Sequence, residues 1–132
     1  MNQTAIPDQA IDIVLVVESE VLVRHALAEY LRHCGYRVIE AATTQEAMTF
    51  LSDAAVSVNV VFSAVKEGPV DGFGLSKWVR ENRPGVQVIL SGSVAKAAHA
   101  AGDLCEEGPH LSRPYEPQQV VEWIKKLRNL KD

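Results

Sequence analysis

The sequence predicts an α/β fold in which helices cover both faces of a doubly wound, five-stranded parallel sheet. Short runs of β-branched and aliphatic residues, typical of strands buried on both faces, recur along the chain. Between them, apolar residues return every three or four positions, the spacing of a helix with one buried side. Strict alternation of such units predicts parallel strands joined by helices. Residues 11–130 are assigned to one domain and the polar segment 1–10 to a flexible N-terminal tail.

The first strand is predicted at Ile11–Val17, a nearly continuous β-branched and aliphatic run. A helix follows, and Gly35 is predicted to end it, because glycine adopts the left-handed conformation that closes helices. Its buried stripe comprises Val23, Leu27, Tyr30, Leu31 and Cys34. The second strand is predicted at Tyr36–Ala41. Thr43 and Glu46 then form a capping box that starts the second helix.

The middle of the chain repeats this order. The stripe of the second helix comprises Ala47, Phe50, Leu51 and Ala54. Val58–Ser63 is the third predicted strand, and a loop containing glycine and proline follows it. The stripe of the third helix comprises Leu75, Trp78 and Val79. This helix is predicted to end before Pro84, because the residue before a proline is disfavoured in a helix.

The last two units are shorter in sequence. Val86–Leu90 is the fourth predicted strand, and Val94–Ala101 is an alanine-rich helix that Gly102 is expected to close. A short fifth strand is predicted at His110–Ser112. Pro117 starts the last helix, a position where its missing N–H costs nothing. Its inner side comprises Val120, Ile124 and Leu127.

Composition excludes several classes of function. The net charge of -4 argues against a nucleic-acid-binding face. Cys34 and Cys105 have no zinc-type spacing and predict reduced thiols in a cytoplasmic protein. The N-terminus lacks the basic start and apolar run of a signal peptide, and no apolar stretch is long enough to cross a membrane. No nucleophile–histidine–acid set can be assembled, so no enzymatic activity is predicted.

The residues that follow the strands are the candidates for function, because open parallel sheets bind ligands at the carboxyl ends of their strands. They are Glu18, Ser19 and Glu20 after the first strand, Ser63, Ala64 and Val65 around the end of the third, Ser91, Gly92 and Ser93 after the fourth, and Arg113 and Pro114 after the fifth. Acid, hydroxyl and cation at one edge suit a phosphate group and a divalent metal.

From about residue 13 to 127 the chain resembles a response-regulator receiver domain. The likeness is carried by VLVVESEVLVRHALAEYLRHCGYRVIEAATTQEAMTFL, by Asp71-Gly72 and by Arg113-Pro114. It implies the flavodoxin-like receiver fold, (βα)5, and bacterial two-component phosphorelay signalling. In that family two acidic residues after the first strand hold magnesium, and an aspartate ending the third strand accepts the phosphoryl group. Thr or Ser ends the fourth strand, and Lys-Pro ends the fifth.

The departures from this pattern decide the predicted mechanism. Counting back eight residues from Gly72 reaches Ala64, whose methyl group cannot form an acyl phosphate. Ser19 stands where the second acidic residue is expected, so Glu18 is the one matched carboxylate. A magnesium site with one of its three anionic ligands would bind weakly, and no cofactor is predicted. Arg113 keeps a positive charge in place of the lysine but has a different geometry.

Each candidate residue has a structural interpretation beside its functional one. For Glu18 we favour an ion pair with Arg113 over metal binding. For Ser19 we favour the N-cap of the first helix. Ser91 and His110 match the hydroxyl and the rotating aromatic of the family's conformational switch, and an ordinary loop hydroxyl and half-exposed ring remain equally open. Ser63 is disfavoured as a substitute acceptor, because neighbouring side chains on a strand point to opposite faces.

The prediction is a receiver-like module that is not phosphorylated on aspartate and acts by docking. With no room for an output domain after residue 132, it is expected to act alone. The expected partner is a histidine kinase, a phosphotransfer protein or another signalling protein, or a second copy of the chain. The family's usual contact face would comprise Val94–Ala101, His110–Ser112 and Val120–Leu127. The alternative is a sensor of a small molecule or anion that binds in the remnant pocket through Arg113 and the hydroxyls.

Overall fold

The computed structural model describes residues 13–65, 70–107 and 114–131, with side chains up to Asn129. The predicted tail, residues 1–10, lies outside these ranges, as does the predicted strand His110–Ser112. The strands are β1 Ile13–Val17, β2 Arg37–Ala41, β3 Val60–Ala64 and β4 Gln87–Ser91. The helices are α1 Val21–His33, α2 Thr44–Ser52, α3 Gly72–Asn82, α4 Val94–Glu107 and α5 Pro117–Lys131.

The four described strands form one parallel sheet in the order β2-β1-β3-β4. The central strands β1 and β3 are buried along most of their length, which agrees with their continuous apolar sequences. The prediction of a parallel sheet with helices on both faces is confirmed. The number of strands is corrected: the described part of the chain contains four, not five.

The predicted capping box of α2 and the predicted end of α1 at Gly35 are confirmed. Thr43 accepts a hydrogen bond from the N–H of Glu46 at 3.1 Å, and the carboxylate of Glu46 accepts one from the N–H of Ala42 at 2.7 Å. Gly35 has a φ of 105°, the left-handed conformation that ends α1. Asp71 caps α3 by accepting from the N–H of Gly74 at 2.8 Å. These caps provide hydrogen-bond partners for backbone groups at the helix ends that have none within the helix.

The two faces of the sheet carry separate cores. On the α1 face, side chains of α1, α4 and α5 pack against alternate residues of β1 and β3, including Val16 and Phe62. On the α2 face, α2 and α3 pack against the intervening residues, including Leu15 and Val61. Because successive side chains of a strand point to opposite faces, neighbouring residues of β1 and β3 belong to different hydrophobic cores.

Helix α4 departs from the sequence prediction. The predicted helix Val94–Ala101 continues to Glu107, and Gly102 is buried inside it. A glycine within a helix costs about 1 kcal/mol relative to alanine. The buried residues Leu104 and Cys105 extend the apolar side of α4 into the α1-face core, and this packing outweighs the cost.

The helices before and after β4 lie on opposite faces of the sheet. Helix α3, which joins β3 to β4, lies on the α2 face, as a right-handed crossover requires. Helix α4 lies instead on the α1 face, against α1 and α5.

Cys34 and Cys105 form a disulfide between the C-terminal end of α1 and the last turns of α4. The prediction of two reduced thiols is wrong in this structure. Sequence spacing gives no sign of the pair, because the residues are 71 positions apart and meet only when α4 packs on the α1 face. Among the described residues, no helix is both long and apolar enough to cross a membrane.

Candidate functional site

A cleft of about 480 Å³ opens at the carboxyl edge of the sheet. It lies between the ends of β1, β3 and β4 and the first turns of α1 and α4. Its polar lining consists of Glu18, Ser19, Glu20, Ser91 and Ser93, and its apolar lining includes Val16, Val23, Leu27, Phe62, Ala64, Val94 and Ala97. The volume falls within the range of small-molecule sites, and the position is where ligands bind in open parallel sheets.

The sheet register brings the ends of β3 and β4 together. Ala64 is paired with Ser91, and the N–H of Val65 donates to the carbonyl of Ser91 at 3.2 Å. Both Ala64 and Ser91 line the cleft. Ser63 is fully buried, and its hydroxyl donates to the carbonyl oxygen of Ala64 at 2.8 Å. It is not among the lining residues, which agrees with the expected alternation along β3.

Glu18 is half-buried at the end of β1 and has several fixed contacts. Its carboxylate accepts the N–H of Glu20 at 2.8 Å, and its own N–H donates to Ala41 at 3.0 Å. The guanidinium of Arg24 donates to the carbonyl oxygen of Glu18 at 3.0 Å and also pairs with Glu40 at 3.2 Å. The acidic residue is therefore oriented by the turn between β1 and α1.

Ser19 is exposed and does not cap α1. The N-cap residue is Glu20, whose side chain makes no capping hydrogen bond. The carboxylate of Glu18 accepts a hydrogen bond from the N–H of Glu20, and α1 begins one residue later than a Ser19 cap would place it. The preference given to Ser19 as N-cap is therefore corrected.

Glu20, the N-cap residue of α1, forms an ion pair with Arg128 of α5. The guanidinium donates from Nε and Nη2 to the two carboxylate oxygens at 2.7 and 2.6 Å, a bidentate geometry. This hydrogen bonding raises the pKa of Arg128 despite partial desolvation. No sequence pattern predicts this pair, because its members are 108 residues apart, one at the N-cap of α1 and the other on α5.

The loop between β3 and α3 passes close to the end of β3. The N–H of Gly72 donates to the carbonyl of Val65 at 2.7 Å. A Cβ atom at Gly72 would lie 2.6 Å from the carbonyl oxygen of Ala64 and 3.0 Å from Leu90. Only glycine fits here, so the Asp71-Gly72 pair both caps α3 and lets it pack against the edge of the cleft.

The described residues do not fit a magnesium site. Magnesium requires oxygen ligands in near-octahedral geometry, usually including carboxylates. Both oxygens of Glu20 are bound to Arg128, one oxygen of Glu18 accepts a backbone N–H, and Ala64 offers no side-chain ligand. Within the described ranges, no three residues of metal-ligating type come together.

Of the predicted switch positions, the structure describes Ser91. It is nearly buried, with 6% of its surface exposed. Nearby, Ser93 accepts the N–H of Lys96 at 3.2 Å and so caps α4. His110 and Arg113 lie outside the described residues. The predicted ion pair between Glu18 and Arg113 and the predicted switch of Ser91 and His110 therefore stay predictions.

The sequence profile of the Response regulator receiver domain family matches residues 14–125. The chain is 28% identical over 120 residues to "Sensor kinase CckA" of Brucella abortus (strain 2308), covering 90% of this chain and 13% of that protein. A 62-residue segment, 47% of the chain, is 39% identical to "Two-component response regulator-like PRR37" of Oryza sativa subsp. japonica and covers 8% of it. The chain thus spans a small part of the length of the curated relatives it matches.

Solved structures with a similar fold include three response-regulator proteins. A response regulator receiver domain protein from Clostridium thermocellum gives a TM-score of 0.59 at 20% identity, with 92% of this chain and 97% of that chain covered. Chemotaxis response regulator CheY4 of Vibrio cholerae gives 0.58 at 22%, covering 88% and 98%. A response regulator from Thermotoga maritima gives 0.56 at 28%, covering 88% and 96%.

Proposed function

The chain belongs to the response regulator receiver domain family of two-component signalling, and we propose that it is a receiver that is not phosphorylated on aspartate and signals by docking to a protein. Receivers of this family are generally signalling modules rather than enzymes.

The observation that carries the proposal is the place of Ala64. This residue ends β3, pairs with Ser91 of β4 and lines the same cleft as Glu18. An aspartyl phosphate requires a carboxylate oxygen to attack phosphorus, and a methyl group has no lone pair to do so. The poor fit to magnesium supports the same proposal, because phosphoryl transfer depends on a metal that neutralises the developing charge.

The test is phosphorylation with acetyl phosphate and magnesium, followed by intact-mass measurement. We expect no phosphoryl mass on the native chain. The matched control is the double variant Ser19→Asp/Ala64→Asp, which supplies both missing carboxylates and is expected to gain a labile phosphoryl group. A stable phosphoryl adduct on the native chain would overturn the proposal and require a different acceptor.

We propose that docking uses the exposed sides of α4 and α5. The inner residues of the predicted contact helices are buried in the α1-face core, including Ala98 and Ile124, and cannot contact a partner. Exposed aromatic side chains lie nearby: Trp123 is 41% exposed and Tyr115 is 42% exposed. Trp123 borders a shallow groove on α5 with Gln119 and Lys126. Tryptophan and tyrosine are enriched among the residues that dominate protein interfaces.

Binding of the native chain to purified histidine-kinase phosphotransfer domains tests the docking surface. Trp123→Ala is expected to weaken binding at least about tenfold, as for an interface anchor. The matched control is Phe73→Ala, which removes another exposed aromatic residue, from α3 on the α2 face. Equal loss of binding in both variants, or no loss in either, would contradict this surface.

A second candidate function is binding of a small molecule in the cleft. Its volume and its mixture of hydroxyl groups with apolar side chains favour an uncharged or amphipathic ligand. Among the described lining residues, the carboxylate of Glu20 is paired with Arg128, and the carboxylate of Glu18 repels an anion. The anion-sensing alternative depends on Arg113, outside the described residues. Amide NMR spectra with magnesium and beryllofluoride would test it: shifts near Glu18 and Ser91 support anion binding.

A further inference from the structure

Two contacts join the C-terminal end of α4 to the turn between α1 and β2. The disulfide connects Cys34 to Cys105, with their Cα atoms 5.3 Å apart. One residue before Cys105, the carbonyl oxygen of Leu104 accepts a hydrogen bond from the hydroxyl of Tyr36 at 2.5 Å. Both cysteines are fully buried, and Tyr36 is 5% exposed. We call these two contacts the α1–α4 link.

The link holds α4 on the α1 face of the sheet, where α4 packs against α1 and α5. The opposite side of β4 belongs to the α2 face. On that face, Val88 and Leu90 of β4 are only half-buried, and Trp78 of α3 is likewise half-buried. This partly exposed apolar surface is available to a helix with one apolar side.

The position of α4 also shapes the cleft. Its N-cap residue Ser93 and the first-turn residues Val94 and Ala97 form one wall. Movement of α4 away from the α1 face would therefore remove a wall of the cleft. It would also change the exposed surface beside α5. The position of α4 therefore determines the shape of both the cleft and the exposed surface beside α5.

We propose that the Cys34–Cys105 pair is a redox-responsive device that holds α4 on the α1 face when oxidised and releases it when reduced. The release leaves α4 free to pack on the half-exposed α2 face of β4. In reducing compartments, persistent disulfides are rare and those that occur are mostly transient and redox-sensing. A pair that changes state with its surroundings is consistent with the family's signalling role and does not require aspartyl phosphate.

The chemistry is thiol–disulfide exchange with a low-molecular-weight thiol such as glutathione. One thiolate attacks a sulfur of the Cys34–Cys105 bond, giving a mixed disulfide and one free cysteine thiolate, which takes a proton. A second thiol then displaces the protein, giving the second cysteine thiol and one molecule of oxidised glutathione. The protein gains two electrons and two protons. Because both sulfur atoms are buried, the attack requires prior opening of α4 near Glu106 and Glu107, which are exposed.

The test compares amide hydrogen exchange of the full chain in oxidised and reduced glutathione, with the thiol state confirmed by alkylation and mass measurement. On reduction, we expect exchange in residues 94–107 to accelerate roughly tenfold more than exchange in α2 and α3, as for a local opening. The double variant Cys34→Ala/Cys105→Ala should reproduce the reduced pattern without reductant.

A second readout follows the α2 face directly. In a Trp123→Phe background, Trp78 is the one remaining tryptophan, and its emission should shift to shorter wavelength on reduction as α4 covers it. Equal acceleration of exchange in α2, α3 and α4 would overturn the proposal, since the disulfide would then stabilise the fold without positioning α4. So would cysteines that remain free thiols in oxidised glutathione while the chain is folded.

Discussion

The two faces of the sheet are built by different kinds of contact. On the α2 face, the helices are fixed by contacts close in sequence, such as the caps of Thr43 and Asp71, each three residues from the N–H it binds. On the α1 face, the deciding contacts join distant parts of the chain. The Cys34–Cys105 disulfide spans 71 residues, and the hydrogen bond from Tyr30 to the carbonyl of Tyr115 spans 85 at 2.7 Å.

This difference bears on how each face can respond to conditions. The caps of α2 and α3 contain no bond that reduction could break. Helix α4 packs in the α1-face core, and its C-terminal end is also held by a disulfide that reduction breaks. We therefore expect the α1 face to carry regulation and the α2 face to carry stability.

The largest expected effect tests this contrast in the two cores. Leu75 on the α2 face and Ile124 on the α1 face are both fully buried. Leu75→Ala and Ile124→Ala should each lower the free energy of unfolding by about 3 kcal/mol, because each leaves a cavity. In reduced protein, the cost of Ile124→Ala should differ by more than about 0.5 kcal/mol from its cost in oxidised protein, while that of Leu75→Ala should not.

Urea unfolding of the native chain and of the two variants, each oxidised and reduced, measures both costs. The Ile124 cost is expected to fall, because α5 packs against α4 and loses that neighbour when α4 is released. If the two substitutions respond equally to reduction, the faces are not independent and the contrast is wrong.

The next effect concerns the close approach of α3 to the end of β3. Gly72→Ala places a methyl group 2.6 Å from the carbonyl oxygen of Ala64 and should lower the free energy of unfolding by about 2 kcal/mol, as overpacked sites do. Gly85→Ala is the matched control: a Cβ there meets nothing within 4 Å, and the change should be neutral or slightly stabilising. Thermal unfolding of both variants measures these effects. Similar destabilisation by both would show that the short distance between Gly72 and the carbonyl oxygen of Ala64 does not exclude a side chain.

The α2 face was predictable from sequence for a physical reason. The capping box at Thr43 and Glu46 is a local signal, readable within a few residues. The parallel orientation of the strands was predictable from the alternation of strands and helices along the chain. The position of the cleft at the ends of β1, β3 and β4 was predictable for the same reason, because carboxyl ends of parallel strands share one edge.

The α1 face was not predictable to the same degree. The continuation of α4 through Gly102, the pairing of Cys34 with Cys105 and the pairing of Glu20 with Arg128 all depend on tertiary packing. No periodicity reports contacts between residues that are 71 or 108 positions apart. Tertiary contacts also override local preference, so a glycine that often ends a helix lies within one here.

A smaller effect is expected at the cap of α2. Thr43→Ala removes the acceptor for the N–H of Glu46 and should cost about 1 kcal/mol of unfolding free energy, equally in oxidised and reduced protein. The control Thr49→Ala makes the same change at an exposed position inside α2, where alanine is the better helix former, and should be neutral or stabilising. A cost for Thr43→Ala that depended on redox state would tie the α2 face to the α1–α4 link and break the contrast.

The smallest effect is a pH dependence on α1. A hydrogen bond from Arg32, three residues on at 2.8 Å, lowers the pKa of Glu29 below its usual value of 4.5. A carboxyl group whose pKa is lower in the folded state stabilises that state above the unfolded pKa, and this contribution is lost as pH falls through the folded pKa. Because both side chains are about one-third exposed, the contribution should be below about 0.5 kcal/mol. Glu29→Gln should therefore make stability fall less steeply with acidification below about pH 4.5, with the difference shrinking at 1 M salt. Chemical unfolding from pH 6 to 3 measures it, and a steeper acid limb in the variant would show that the ion pair does not favour the folded state.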